Sequence, residues 1–122
     1  MSLMHRIDAL VSHVWMVRTF IKHSEELEDD PELSEVQHTL YDYMLALGPA
    51  WKAQDEEAYL KQAKKKISKL RQAADDFSEL QPDVSTHMNF QMAVRSLQCA
   101  VAEIEAVLSE DRVRGREGER ET

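Results

Sequence analysis

The 122-residue sequence contains little cysteine, glycine or proline, and it has no long apolar run. Its one cysteine, Cys99, cannot form an internal disulfide, so nothing in the composition indicates an oxidising compartment. Three glycines and three prolines supply few turn signals, which disfavours a sheet-rich fold. Polar residues interrupt every apolar stretch before the roughly 20 residues of a membrane-spanning helix. We therefore expect a cytoplasmic protein that is not an integral membrane protein.

Charge is what the sequence has in abundance, with 31% charged residues and a formal net charge of −8. Many charges with few helix breakers are typical of long helices. The length suits one domain that buries about two-thirds of its unfolded surface without disulfide or metal. The negative charge repels phosphates and makes nucleic-acid binding unlikely. The segment Met1–Leu3, ahead of Met4, has the form of a cloning leader.

Apolar residues recur at three- and four-residue spacing in four segments, which predicts four amphipathic helices. We expect helix 1 over residues 5–28, helix 2 over 31–47, helix 3 over 55–80, and helix 4 from a cap at Asp83 or Ser85 to about Glu110. Gly48-Pro49 and Pro82 are interpreted as helix stops. The predicted core stripes are Ile7, Leu10, Val14, Val17 and Ile21; Leu33, Val36, Leu40, Tyr43, Met44 and Leu47; Leu60, Ala63, Ile67, Leu70, Ala74 and Phe77; and Phe90, Val94, Leu97, Val101, Ile104 and Leu108.

Short connections between long helices require that each helix pack antiparallel to the one before it. The sequence therefore predicts an all-α, antiparallel up-down-up-down four-helix bundle formed by one domain, residues 1–110. Residues 111–122 alternate arginine and glutamate with almost no apolar residue, and we expect a disordered charged tail there.

A second row of apolar residues lies behind the core stripe on three helices. Single exposed apolar residues are normal on any surface, but whole rows favour association with a second copy or with another helical protein. We predict a non-enzymatic interaction protein, most simply a homodimer, that needs no cofactor. The predicted interface consists of Met16, Phe20 and Leu27 on helix 1, Tyr41 and Leu45 on helix 2, and Met88, Met92 and Cys99 on helix 4.

Charges are segregated, with acidic residues concentrated between Glu25 and Glu35 and basic residues between Lys61 and Arg71. One interpretation is a face that binds an anion or a nucleic acid along Lys61, Lys65 and Lys69. No aromatic residue is interleaved to stack a base, and no glycine-rich loop is present to bind phosphate. The alternative is a solvated face that complements the acidic turn.

The position of His38 is compatible with two kinds of site, a metal site and a phosphorylation site. Glu35-x-x-His38 has the spacing of carboxylate-bridged di-metal bundles, but His38 points away from the predicted core. Its outward position resembles that of histidine phosphotransfer domains, whose histidine is followed by lysine three positions on and then glycine; here Tyr41 and Asp42 follow. His87 falls on a core row, where we expect a hydrogen-bonded core residue.

The acidic turn resembles the magnesium site of all-helical nucleotide pyrophosphohydrolases, which carry Glu-Glu-x-x-Glu and a later Glu-x-x-Asp. That resemblance implies a Mg²⁺-dependent phosphohydrolase with Glu25, Glu28 and Glu32 as ligands. The order Glu25-Glu26-Leu27-Glu28 departs from the first element, and helix 2 lacks the second. Arg18, close to the core line, is expected to reach Glu25 or a carboxylate of helix 2. No residue is assigned a catalytic role, because no nucleophile has a nearby base.

Overall fold

Four long helices pack side by side in the structure, a computed structural model that describes the backbone of residues 2–121 and the side chains of residues 2–113. They are α1 (Leu3–Lys22), α2 (Pro31–Lys52), α3 (Glu56–Val84) and α4 (Met88–Glu121), with one 3₁₀ turn (Glu25–Leu27) before α2. Each of α1 and α3 packs against both α2 and α4, and α1 meets α3 only across the diagonal. With the short connections, this is the predicted antiparallel four-helix bundle, and the described residues contain no strand.

Capping side chains define the starts of the helices. Asp30 accepts a hydrogen bond from the Leu33 N–H at 3.0 Å, and Asp55 accepts one from the Ala58 N–H at 3.1 Å. The start of α4 follows the prediction in part, because Ser85 accepts a hydrogen bond from the His87 N–H at 3.1 Å just ahead of the helix. The His87 ring, which was not predicted as a cap, accepts one from the Asn89 N–H at 3.0 Å. As a capping residue His87 lies outside the helix and is exposed, so its predicted place in the core is wrong.

Two predicted stops do not end their helices. The α2 helix continues through Gly48 and Pro49 to Lys52, and α3 continues through Pro82 to Val84. Both prolines lie in or next to the last helical turn and are exposed, so the hydrogen bond that each removes leaves a carbonyl near the surface. The left-handed residue after α2 is Gln54, with φ 52°.

A Schellman motif closes α2 around that left-handed residue. The Asp55 N–H donates to the Ala50 carbonyl at 2.9 Å, and the Gln54 N–H donates to the Trp51 carbonyl at 3.0 Å. The Gln54 side chain also donates to the Trp51 carbonyl at 2.7 Å, which helps to hold the unfavourable φ. The stop therefore comes from local hydrogen bonding rather than from glycine.

The ends of α1 and α4 also differ from the prediction. The α1 helix ends at Lys22, not near Glu28, because the negative end of its dipole disfavours the acidic residues that follow. The α4 backbone is helical to Glu121, beyond the predicted end near Glu110. The predicted disorder of residues 111–122 stays a prediction, since the side chains of residues 114–122 lie outside the described residues.

The core follows the predicted stripes closely. All of the predicted core residues are buried except Leu10 and Met44, which are partly buried against it. The prediction missed several buried residues, among them Tyr59, which is fully buried, and Met4 and Leu3, which are 3% and 5% exposed. Ser2 accepts a hydrogen bond from the His5 N–H at 3.1 Å and so caps the start of α1.

Candidate functional site

A groove of about 580 Å³ lies between α2 and α3, the pair of helices that packs most extensively. Apolar side chains, among them Val36, Leu70 and Leu80, form its floor. Its charged rim is mostly acidic, consisting of Glu32, Glu35, Asp42, Asp76 and Glu79 with Lys66 and Lys69. The groove thus carries lysines and carboxylates together, with carboxylates in excess.

The predicted magnesium ligands are not brought together. Glu32 lines the groove, whereas Glu25 and Glu28 are exposed at the 3₁₀ turn and do not line it. Among the side chains of residues 2–113, no group of three or more histidine, cysteine or acidic residues could hold a metal ion. His38 is exposed, in the direction that its place on the helix predicted.

The predicted anion-binding lysines share an exposed face of α3. Lys61, Lys65 and Lys69 are all exposed, but Lys69 stands on the acidic rim of the α2–α3 groove. Lys64, on the flank of the same helix, is paired with Asp111 of α4. Carboxylates therefore border the lysine row on both sides, which weakens its attraction for a phosphate.

The predicted interface residues of α1, the 3₁₀ turn and α2 are largely used within the chain. The Phe20 ring packs edge-on against Phe90 of α4 at 4.8 Å between centroids, and Leu27 packs against the core. Tyr41 is half-buried beneath a guanidinium. Met16 and Leu45 remain exposed, at 64% and 54%.

Arg18 lies at the α1–α2 seam and packs on aromatic rings. Its guanidinium carbon is 4.4 Å from the centroid of Tyr41 and 5.8 Å from that of Trp15. Among the ion pairs of residues 2–113 none includes Arg18, so the expected contact with Glu25 or an α2 carboxylate is not formed. Trp15, 49% exposed, was missed by the sequence analysis because it lies beside the core stripe rather than opposite it.

The outward face of α4 presents a long row of exposed residues, most of them apolar. Its predicted members Met88 and Met92 are 56% and 46% exposed, and Cys99 is exposed as well. Val113, 52% exposed, extends the row and was not predicted. The row has the alternating four- and three-residue spacing of a coiled-coil seam. We call this set of exposed residues the outer α4 row: Met88, Met92, Arg95, Cys99, Ala102, Ala106, Ser109 and Val113.

Two buried phenols are the ionisable groups that the fold perturbs most. Tyr43 donates to the Ala63 carbonyl at 3.3 Å, and Tyr59 donates to an oxygen of Asp8 at 3.0 Å. Burial raises the pKa of both tyrosines, and the neighbouring Asp8 carboxylate raises that of Tyr59 further. Both stay neutral at ordinary pH, so their contacts tie helices together rather than activate a nucleophile.

No protein family model, curated protein or solved structure matches the chain. None of the described helices combines the length and the apolar character needed to cross a membrane.

Proposed function

We propose that this protein is a non-enzymatic helical-bundle interaction protein that associates with a second copy of itself through the outer α4 row. The observation that supports the proposal is the continuous exposure of that row, from Met88 to Val113, along one side of a helix whose other side is buried. A helix needs one apolar face to join a bundle, so a second such row on a surface indicates a partner. A cytoplasmic location is part of the proposal, and the unpaired Cys99 supports it.

Self-association fits better than the two alternatives that the sequence left open. A phosphohydrolase needs its magnesium ligands in one place, and Glu25 and Glu28 lie apart from the groove that Glu32 lines. An anion-binding face needs unopposed positive charge, and carboxylates border the lysine row. The side chains of the outer α4 row, all of them among the described residues, are exposed instead.

Light scattering coupled to gel filtration tests the proposal through the molar mass in solution. We expect a dimer whose dissociation becomes measurable on dilution, and Met92→Glu should shift it to monomer because a buried charge without a partner is costly. Ser68→Glu, at a position on α3 that is also exposed, is the matched control and should leave the dimer intact.

A wild-type protein that stays monomeric at high micromolar concentration contradicts the proposal. So does a dimer that Met92→Glu and Ser68→Glu weaken equally. A rise in melting temperature on adding Mg²⁺ that Glu32→Gln abolishes would instead favour the phosphohydrolase, because a ligand of the native state stabilises it.

A further inference from the structure

The outer α4 row differs in side-chain size between its two halves. Its amino-terminal half carries Met88, Met92 and Arg95, whereas its carboxyl-terminal half carries Ala102, Ala106 and Ser109 before Val113. Two parallel copies would place large residues against large and small against small, which leaves uneven gaps along the seam. Two antiparallel copies place large residues against small along the whole row, so the helices can stay at one distance.

Charge selects the same orientation. Arg95 occupies a position within the row, and Glu103 and Glu110 are exposed at the edge of its carboxyl-terminal half. In a parallel pair the two Arg95 side chains meet, and like charges at a seam are destabilising. In an antiparallel pair in which the whole row overlaps, Arg95 lies opposite the partner's Ala106, beside the partner's Glu103 and the partner's Glu110. Glu110 contacts Arg6 of its own chain at 2.8 Å and is still 46% exposed.

We propose that two copies of this chain pair antiparallel along α4, in the register that sets Met88 opposite the partner's Val113 and Arg95 between the partner's Glu103 and the partner's Glu110. The inference rests on the proposed self-association and adds its geometry. The two-fold axis then passes between Cys99 and Ala102, at the middle of the row. The register uses every position of the row, because sliding the helices by one heptad leaves an end of the row uncovered.

Charge reversal tests the ionic contact. In equilibrium sedimentation, Arg95→Glu should raise the dimer dissociation constant at least about tenfold, because it places like charges together at a seam. Adding Glu103→Arg to Arg95→Glu should recover dimerisation relative to Arg95→Glu alone. Lys65→Glu, which makes the same change in net charge on the outer face of α3, should have no effect.

Disulfide trapping tests the register directly in a Cys99→Ser background. When Met88→Cys and Val113→Cys chains are mixed and oxidised, the mixed disulfide should form, because those positions face each other in the proposed pair. Met88→Cys alone should not link to itself, since its two copies would lie roughly 38 Å apart at 1.5 Å per residue. Circular dichroism on each variant confirms folding, as all of these positions are exposed.

The outcomes separate this inference from the proposed function. A monomeric wild type contradicts both the proposed self-association and the antiparallel pairing. A dimer that Arg95→Glu leaves unchanged, or in which Met88→Cys links readily to itself, keeps the self-association and overturns the antiparallel register.

Discussion

The α2–α3 half of the bundle and the α1–α4 half bury similar apolar stripes but present different outer surfaces. On α3, the outward positions with the same coiled-coil spacing as the outer α4 row are polar and exposed: Lys61, Lys65, Ser68, Gln72, Asp75 and Glu79. The α2–α3 half also contains all three prolines and both buried tyrosines. Since the inner stripes alone build the bundle, the outer rows are free to differ. A partner would therefore contact the outer rows, where the two halves differ.

The inner stripes should respond alike in the two halves, and this is the largest expected effect. Leu70 of α3 and Leu97 of α4 are both 0% exposed. Replacing either by alanine should lower the free energy of unfolding by about 2–5 kcal/mol, through lost burial and the cavity left behind. Chemical denaturation measures the loss, and the exposed substitution Ser68→Ala should change stability by only about 0.5 kcal/mol or less. A loss below about 1 kcal/mol at either leucine would break the equivalence of the halves.

High pH should weaken the molecule through the α2–α3 half, because its core contains the phenols. The unfolded chain releases the proton of Tyr43 or Tyr59 near the ordinary pKa of 10.0, whereas burial raises the pKa of both in the folded state. The folded state therefore binds more protons above pH 10.0, and its stability, unaffected below that value, falls as pH rises. Each tyrosine contributes a slope of at most about 1.4 kcal/mol per pH unit.

Denaturation curves should be measured at a series of alkaline pH values for the wild type and for Tyr43→Phe/Tyr59→Phe. The comparison separates the contribution of the two tyrosines from that of the lysines, which also titrate at high pH. The double variant should show the shallower decline above pH 10.0. Equal slopes would mean that the phenols are not desolvated in the folded bundle.

Periodicity predicted the inner stripes because burial depends on which face a residue occupies, and the face follows from helical spacing. The ends were predicted less well because each depends on local hydrogen bonds that spacing does not encode. His87 illustrates this. Its spacing predicted a core residue, whereas its ring accepts a hydrogen bond from the Asn89 N–H as a cap. Gly48 was interpreted as a helix stop, whereas the left-handed residue that follows α2 is Gln54, which is held by its own side chain.

The candidate surfaces were also predicted only where helical spacing determines them. Met88, Met92 and Cys99 were found because they lie opposite the α4 stripe, and counting heptads further would have added Val113. Phe20 was placed outward, but it packs against Phe90 of another helix. A contact between helices at the flank of a stripe depends on their rotation, which a single sequence does not supply. The α2–α3 groove was missed for the same reason.

The smallest expected effect tests where α2 ends in the α2–α3 half, at Lys52 rather than at Gly48. Gly48 lies within α2, its φ is not positive, and an added Cβ would meet nothing within 4 Å. Gly48→Ala should therefore raise the free energy of unfolding by roughly 0.5–1 kcal/mol, since alanine loses less backbone entropy in a helix. Ala9→Gly, at an exposed helical position of the α1–α4 half, should lower stability by a similar amount. If Gly48→Ala destabilises the protein, Gly48 is left-handed and α2 ends where the sequence first suggested.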